Sequence, residues 1–240
     1  MEFDNRNKFC NLGFVNEPQA IIFTAYRLRL DSCRSLLVSK FKTMLYIESA
    51  PILIQGYTED MSDEEFKRFC AANLDLRIEL DKDKNLIIRA PTHSQTGWYN
   101  AKLLTKVEIW NEMTGLGYTF DSSTGFTLPN GAKRSPDVSW IIKDRWEALT
   151  QAEKEDFAPL CPDFCIELRS KTDRLNNLKA KLEEYIENGC RLGWLVDPIE
   201  KQVFIYRQDG SIEILKGFDK KLSGEDVLPG FEFDLTILNQ

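Results

Sequence analysis

Apolar and polar positions follow regular spacings from residue 62 onward, and these spacings predict a succession of short helices and strands. Ser62 and Glu65 form the capping-box signature of a helix start. Two strand-like runs, Leu74–Leu80 and Asn85–Ala90, are separated by a charged turn and predict a hairpin. Tyr99–Met113 has the apolar periodicity of an amphipathic helix.

The second half of the chain continues this alternation of strands and helices. A helix is predicted from Thr172 or Asp173 to Asn188, where Gly189 would end it. The predicted strands are Tyr118–Ser122 paired with Gly125–Leu128, then Asp137–Ile142, Phe164–Arg169 and Arg191–Val196, and a final hairpin of Gln202–Arg207 with Ile212–Leu215. This order predicts a single α/β domain with a central mixed β-sheet flanked by helices.

Two acidic residues interrupt apolar strands. Asp137 opens one strand and Glu167 lies inside another. A carboxylate in an apolar strand costs free energy unless another group compensates its charge, and a divalent cation shared with a second carboxylate is one such group. The alternative is that Asp137 follows a turn while Glu167 and Arg169, which alternation places on one face, form a cross-strand ion pair.

Longer motifs surround these acids. The segments Pro129–Asp137, Leu160–Ser170 and Tyr185–Pro198 resemble the Uma2 family, which is described as a group of proposed restriction endonucleases of the PD-(D/E)XK superfamily. The resemblance extends from about Gly56 to the Leu228–Phe231 stretch. It implies a restriction-endonuclease-like α/β core, a metal site and a phosphodiester substrate.

The resemblance also implies roles for individual residues. Asp137 and Glu167 would be the ligands of Mg²⁺ or Mn²⁺, since hard oxygen donors suit both ions. Arg169 stands where many members of the superfamily have lysine, and it would stabilise the transition state without accepting a proton. Lys181 matches the lysine that recurs in the family before Tyr185. The predicted catalytic set is therefore Asp137, Glu167, Arg169 and Lys181.

Two features weaken the expectation of activity. Gln95 stands where related sequences often have glutamate, and glutamine is a weaker metal ligand. The net charge is −7, whereas proteins that grip DNA without sequence preference usually present a basic surface. We therefore predict a Mg²⁺-dependent DNA endonuclease with weak or transient DNA binding. The alternative is a catalytically weak or inactive nuclease-fold protein that acts in binding or regulation.

Composition excludes some classes of protein. The 240 residues suffice for one sizeable core, and no run of eighteen apolar residues predicts a membrane span. Six cysteines without a CxxC pair, together with one histidine, do not form a zinc motif. Reduced thiols in a cytoplasmic protein are expected. A homodimer would suit cleavage of both DNA strands, although no motif specifies an interface.

The first 43 residues differ from the rest. They combine a polar start with an apolar run and scattered basic residues, and the family resemblance begins after them. We predict a domain over residues 44–240. We expect translation to start at Met44, or residues 1–43 to form a loosely attached extension.

Overall fold

The computed structural model describes residues 52–54 and 61–239. The predicted extension 1–43 and the proposed start at Met44 lie outside the described residues. The helices are α1 (Asp63–Ala71), α2 (Ser94–Thr114), α3 (Lys143–Glu147), α4 (Gln151–Lys154), α5 (Leu175–Glu187) and a final 3₁₀ helix, Leu235–Asn239. The strands are β1 (Ile52–Ile54), β2 (Arg77–Leu80), β3 (Leu86–Arg89), β4 (Gly117–Asp121), β5 (Phe126–Thr127), β6 (Lys133–Arg134), β7 (Val138–Ile142), β8 (Phe164–Leu168), β9 (Leu192–Asp197), β10 (Gln202–Arg207), β11 (Ile212–Lys216), β12 (Lys221–Ser223) and β13 (Glu232–Asp234).

Six strands form a mixed sheet in the order β11-β10-β9-β8-β7-β4. Strands β8 and β9 are parallel, and the other neighbours are antiparallel. A parallel pair needs a crossover connection, which α5 provides between β8 and β9. The predicted central mixed sheet is confirmed.

Helices cover both faces of this sheet. On one face, Leu103 and Val107 of α2 share an apolar cluster with the sheet residues Trp140 and Trp194. On the other face, Leu182 and Tyr185 of α5 pack in a second cluster with sheet residues that include Cys165 and Leu195. Because both faces are covered, β8 and β9 are buried along their whole length. The flanking helices of the predicted α/β fold are therefore confirmed.

A second sheet contains five strands in the order β1-β3-β2-β6-β5. The predicted pairing of Tyr118–Ser122 with Gly125–Leu128 is wrong, since β4 pairs with β7 and β5 pairs with β6. Five residues of β4 align with β7, whereas β5 is only two residues long. The longer non-local ladder therefore replaces the short local hairpin that the turn suggested.

The predicted start of a helix is confirmed where the sequence contains a capping box. Ser62 and Glu65 form both hydrogen bonds of the capping box at α1. Helix α5 begins later than predicted, after Arg174, because the Asp173 carboxylate accepts hydrogen bonds from the backbone and hydroxyl of Ser170.

Among residues 61–239, none of the helices has the length and apolar character that a membrane span requires.

Candidate active site

Asp137 immediately precedes β7, and Glu167 lies in the neighbouring strand β8. In the antiparallel register Val138 is opposite Ile166, so continuing the register by one residue places Asp137 opposite Glu167. The Leu168 backbone N–H donates to Asp137 Oδ2 over 2.8 Å and fixes the carboxylate against β8. None of the described residues donates a hydrogen bond to the other oxygen, Oδ1, which leaves it free to take a ligand.

The Glu167 carboxylate is buried and uses one oxygen for protein contacts. Its Oε1 lies 2.8 Å from Lys181 Nζ and accepts a hydrogen bond from the Tyr185 hydroxyl at 3.1 Å. Both partners come from α5, where a spacing of four residues puts them on one face of the helix. Within the described part of the chain, no donor reaches Glu167 Oε2. Each carboxylate of the pair thus has one oxygen without a hydrogen-bond partner among the described residues.

Lys181 lies between two carboxylates. Its ammonium is 2.8 Å from Glu79 Oε1 as well as from Glu167 Oε1, and it donates to the Ser135 carbonyl oxygen at 3.1 Å. Its exposed side-chain fraction is only 4 %. The structure therefore places Lys181 in contact with Glu167 and within electrostatic reach of Asp137.

Glu79 is a site residue that the sequence reasoning missed. It lies in β2, far from the motifs in sequence, and is buried. Arg134 contacts its carboxylate at 3.3 Å and also binds Glu184 at 2.6 Å, so the acids and bases form one buried network. The available signal was the same as for Glu167, an acidic residue between apolar neighbours in a predicted strand.

The network gives its acidic residues different pKa values. Burial raises the pKa of Glu167 to about 7; the negative charges of Asp137 and Glu79 add to this rise, and Lys181 opposes it. Burial likewise raises the pKa of Asp137, against the opposing Leu168 hydrogen bond and Lys181. Burial would also raise the pKa of Glu79, but Lys181, Arg89 and Arg134 together lower it to about 2. Asp137 and Glu167 therefore hold a proton more tightly than ordinary carboxylic acids, whereas Glu79 is stabilised in its charged form by its three cations.

The position of Arg169 does not agree with the role predicted for it at the carboxylate pair. Its guanidinium pairs with Asp197 of β9 at 2.8 Å, and it does not line the cleft that contains the carboxylate pair. The cross-strand pair between Glu167 and Arg169 is also wrong, because Glu167 binds Lys181 instead. Arg169 follows the last residue of β8, beside the end of β9, where the buried Asp197 is the nearer acid.

The carboxylate pair opens into a cleft of about 1000 Å³. Its lining contains five lysine and arginine side chains and seven aspartate and glutamate side chains, so acidic residues outnumber basic ones by two. His93 lines it, whereas Gln95 does not and instead donates to the Tyr99 hydroxyl. Gln95 is therefore not among the residues that could reach a metal ion in the cleft directly.

The residues present fit a divalent metal ion. Mg²⁺ commonly takes one or two carboxylates and fills its remaining positions with water and substrate phosphate. Asp137 and Glu167 each offer one such oxygen in an acidic cleft. Residues 61–239 contain no cluster of three or more acidic, histidine or cysteine ligands, so the site would depend on water and substrate for the other positions.

Residues 63–237 match the model of the Uma2 family, which is described as "Putative restriction endonuclease". The chain belongs to the Uma2 family. Its fold is similar to the crystal structure of "a putative nuclease belonging to DUF820 from Anabaena variabilis ATCC 29413". The TM-score is 0.58 at 19 % sequence identity, and the likeness covers 67 % of this chain and 88 % of that one. No curated protein matches the sequence.

Proposed function

We propose that this Uma2 protein is a metal-dependent DNA endonuclease that hydrolyses phosphodiester bonds. One observation carries the proposal: Asp137, just before β7, and Glu167, in the adjacent strand β8, each have an oxygen without a hydrogen-bond partner among the described residues, and both line an open cleft. Membership of a family described as restriction endonucleases supports the same reaction.

The proposed roles follow from the contacts. Asp137 and Glu167 would hold the metal ion. Mg²⁺ or Mn²⁺ bound there would supply charge neutralisation at the scissile phosphate and a more acidic water. Lys181, held between Glu79 and Glu167, would keep a positive charge beside the reacting phosphate. The Leu168 backbone and the Tyr185 hydroxyl orient the two carboxylates.

A second function, a nuclease-fold protein that binds or regulates without cleaving, is favoured by the acidic lining of the cleft. A surface with surplus negative charge repels the phosphate backbone unless cations compensate it. The two functions differ in one respect: only the endonuclease needs the metal ion for turnover. The homodimer and the cytoplasmic location stay predictions.

Plasmid nicking by the purified full-length protein tests the proposal. We expect nicking with Mg²⁺ or Mn²⁺, none with a chelator, and none with Glu167→Gln. Asp163→Asn is the matched control, since Asp163 is a buried acid that pairs with Arg145, outside the Lys181 network, and does not line the cleft. Undiminished nicking by Glu167→Gln would assign activity to another site or a contaminant. Absence of metal-dependent nicking by the unaltered protein would favour the binding function.

A further inference from the structure

Arg89 is a cation in the cleft wall whose hydrogen-bonding capacity is mostly unused. It is the last residue of β3, lines the cleft, and has a side chain that is 25 % exposed. Its Nη1 contacts Asp173 Oδ1 at 3.1 Å. Its Nε is buried and has no hydrogen-bond partner among the described residues. A guanidinium has five N–H donors, so one contact leaves most of them available.

The Arg89 side chain lies within electrostatic reach of the carboxylate pair. Burial lowers the pKa of Arg89, but four acids raise it by a larger amount, and Asp137 and Glu167 are among them. The same arginine stabilises the charged forms of Asp137, Glu167 and Glu79. Arg89 is therefore a permanent positive charge that shares the cleft with the candidate metal ligands.

Lys181 is less able than Arg89 to bind a substrate in this arrangement. An ammonium has three donors; two of them form hydrogen bonds with Glu79 and the Ser135 carbonyl at 2.8 and 3.1 Å, and Glu167 Oε1 lies 2.8 Å away as an ion-pair partner. The Lys181 side chain is also only 4 % exposed, so it presents little surface to a substrate. Arg89, by contrast, is 25 % exposed and has one ion-pair partner among the described residues, so it has donors left for a substrate.

We propose that Arg89 binds a non-bridging phosphate oxygen of the DNA strand that lies over Asp137 and Glu167. The inference rests on the proposed function and assigns the substrate-binding cation within it. Guanidinium N–H groups match phosphate oxygens in geometry and can bind two of them at once. Arg89 would then supply the positive charge near the phosphate that the family resemblance implied for Arg169.

Arg169 is a close matched control. Each arginine has one ion pair with an aspartate, at 2.8 Å for Arg169 and 3.1 Å for Arg89. Each has a buried Nε without a partner in the described part of the chain. Their side chains are 19 % and 25 % exposed. They differ in that only Arg89 lines the cleft.

The experiment measures binding of a short DNA duplex to the full-length protein by fluorescence anisotropy, with a chelator present and salt varied. We expect Arg89→Ala to lower affinity about tenfold, the effect of one charged hydrogen bond. It should also reduce the slope of log K against log salt by about one phosphate contact. Arg169→Ala should change neither quantity. Arg89→Lys should retain the slope, since it keeps the charge.

Thermal unfolding of each variant shows whether a loss of binding arises from a loss of folded structure. If Arg89→Ala unfolds because Asp173 loses its ion-pair partner, the double variant Arg89→Ala/Asp173→Asn is used in the binding assay in its place. The double variant removes both charges of the pair. An unchanged salt slope in the folded Arg89 variant would overturn the inference. Equal losses with Arg169→Ala, or no duplex binding by the unaltered protein, would also overturn it.

The outcomes separate this inference from the proposed function. Binding that depends on Arg89, in a protein that never nicks DNA with Mg²⁺ or Mn²⁺, would support the inference and refute the endonuclease. Metal-dependent nicking that survives Arg89→Ala, with unchanged affinity, would support the endonuclease and refute the inference.

Discussion

At the scale of single residues, the buried network alternates positive and negative charges. Lys181 separates Glu79 from Glu167, and Arg134 separates Glu79 from Glu184. Such a network stabilises the fold only while each charge keeps its partner, because an isolated buried charge is costly. The same arrangement gives Glu79 and Glu167 pKa values on opposite sides of the usual glutamate value.

The pH dependence of the metal-free protein follows from Glu167. Its pKa rises from 4.5 in the unfolded chain to about 7 in the fold, so the folded state binds the proton more tightly. Stability from this group is complete below pH 4.5 and is lost as pH rises to about 7, with a slope of at most about 1.4 kcal/mol per pH unit. Urea unfolding across this window measures the decline.

Glu167→Gln should flatten that decline, because glutamine resembles the protonated acid and does not titrate. At pH 8 without metal, the variant should be slightly more stable than the unaltered protein. Comparing the two proteins at each pH cancels the contributions of other groups, including Glu79, whose lowered pKa affects stability only at more acidic pH. A variant that is clearly less stable at pH 8 would show that Glu167 is mainly an ion-pair partner of Lys181.

Lys181→Met should destabilise the protein by about 3 kcal/mol, since it leaves Glu79 and Glu167 buried without their shared cation. Adding Glu79→Gln should restore part of the loss, because one of the two buried carboxylates that lost Lys181 is then neutral. Urea unfolding of the single and double variants measures both effects. If the double variant is no more stable than the single variant, the cost does not arise from Glu79.

At the scale of elements, the pairing of β4 with β7 depends on close packing at Gly117. A Cβ atom there would lie 2.2 Å from the Ile141 carbonyl oxygen and 2.5 Å from the Trp140 ring. Gly117→Ala should therefore cost about 3 kcal/mol, since a backbone atom and a buried ring must shift. Chemical denaturation would measure this cost.

Gly193→Ala provides the comparison for Gly117→Ala. At Gly193 the added Cβ would lie 2.7 Å from Leu182 Cδ1, the far end of a flexible side chain where α5 packs on β9. This variant should lose only about 1 kcal/mol, because the leucine can change rotamer. Similar losses in the two variants would mean that the β4–β7 contact is as adaptable as the packing of α5.

At the scale of the whole molecule, the family match covers residues 63–237 and the described core clusters run from Phe66 to Leu238. We therefore expect a protein that begins at Met44 to unfold at the same temperature as the full chain. Differential scanning calorimetry of the two proteins tests this. A lower unfolding temperature for the shorter protein would assign a stabilising role to residues 1–43.

The sequence alone determined the features that depend on neighbours in the chain. The capping box at Ser62, the buried strands around Asp137 and Glu167, and the crossover helix that contains Lys181 all follow from local spacing. Motif similarity placed Asp137 and Glu167 together, and the adjacent strands β7 and β8 agree with it.

Tertiary structure decided which distant residues share the cleft. Glu79 and Arg89 reach it from the hairpin of β2 and β3, roughly a hundred residues before Lys181 in the chain. Arg169 turns to Asp197 because β8 ends at Leu168, so strand alternation no longer fixes its surroundings. Ion pairs form between charges that folding brings within a few ångströms, and sequence spacing does not contain that distance.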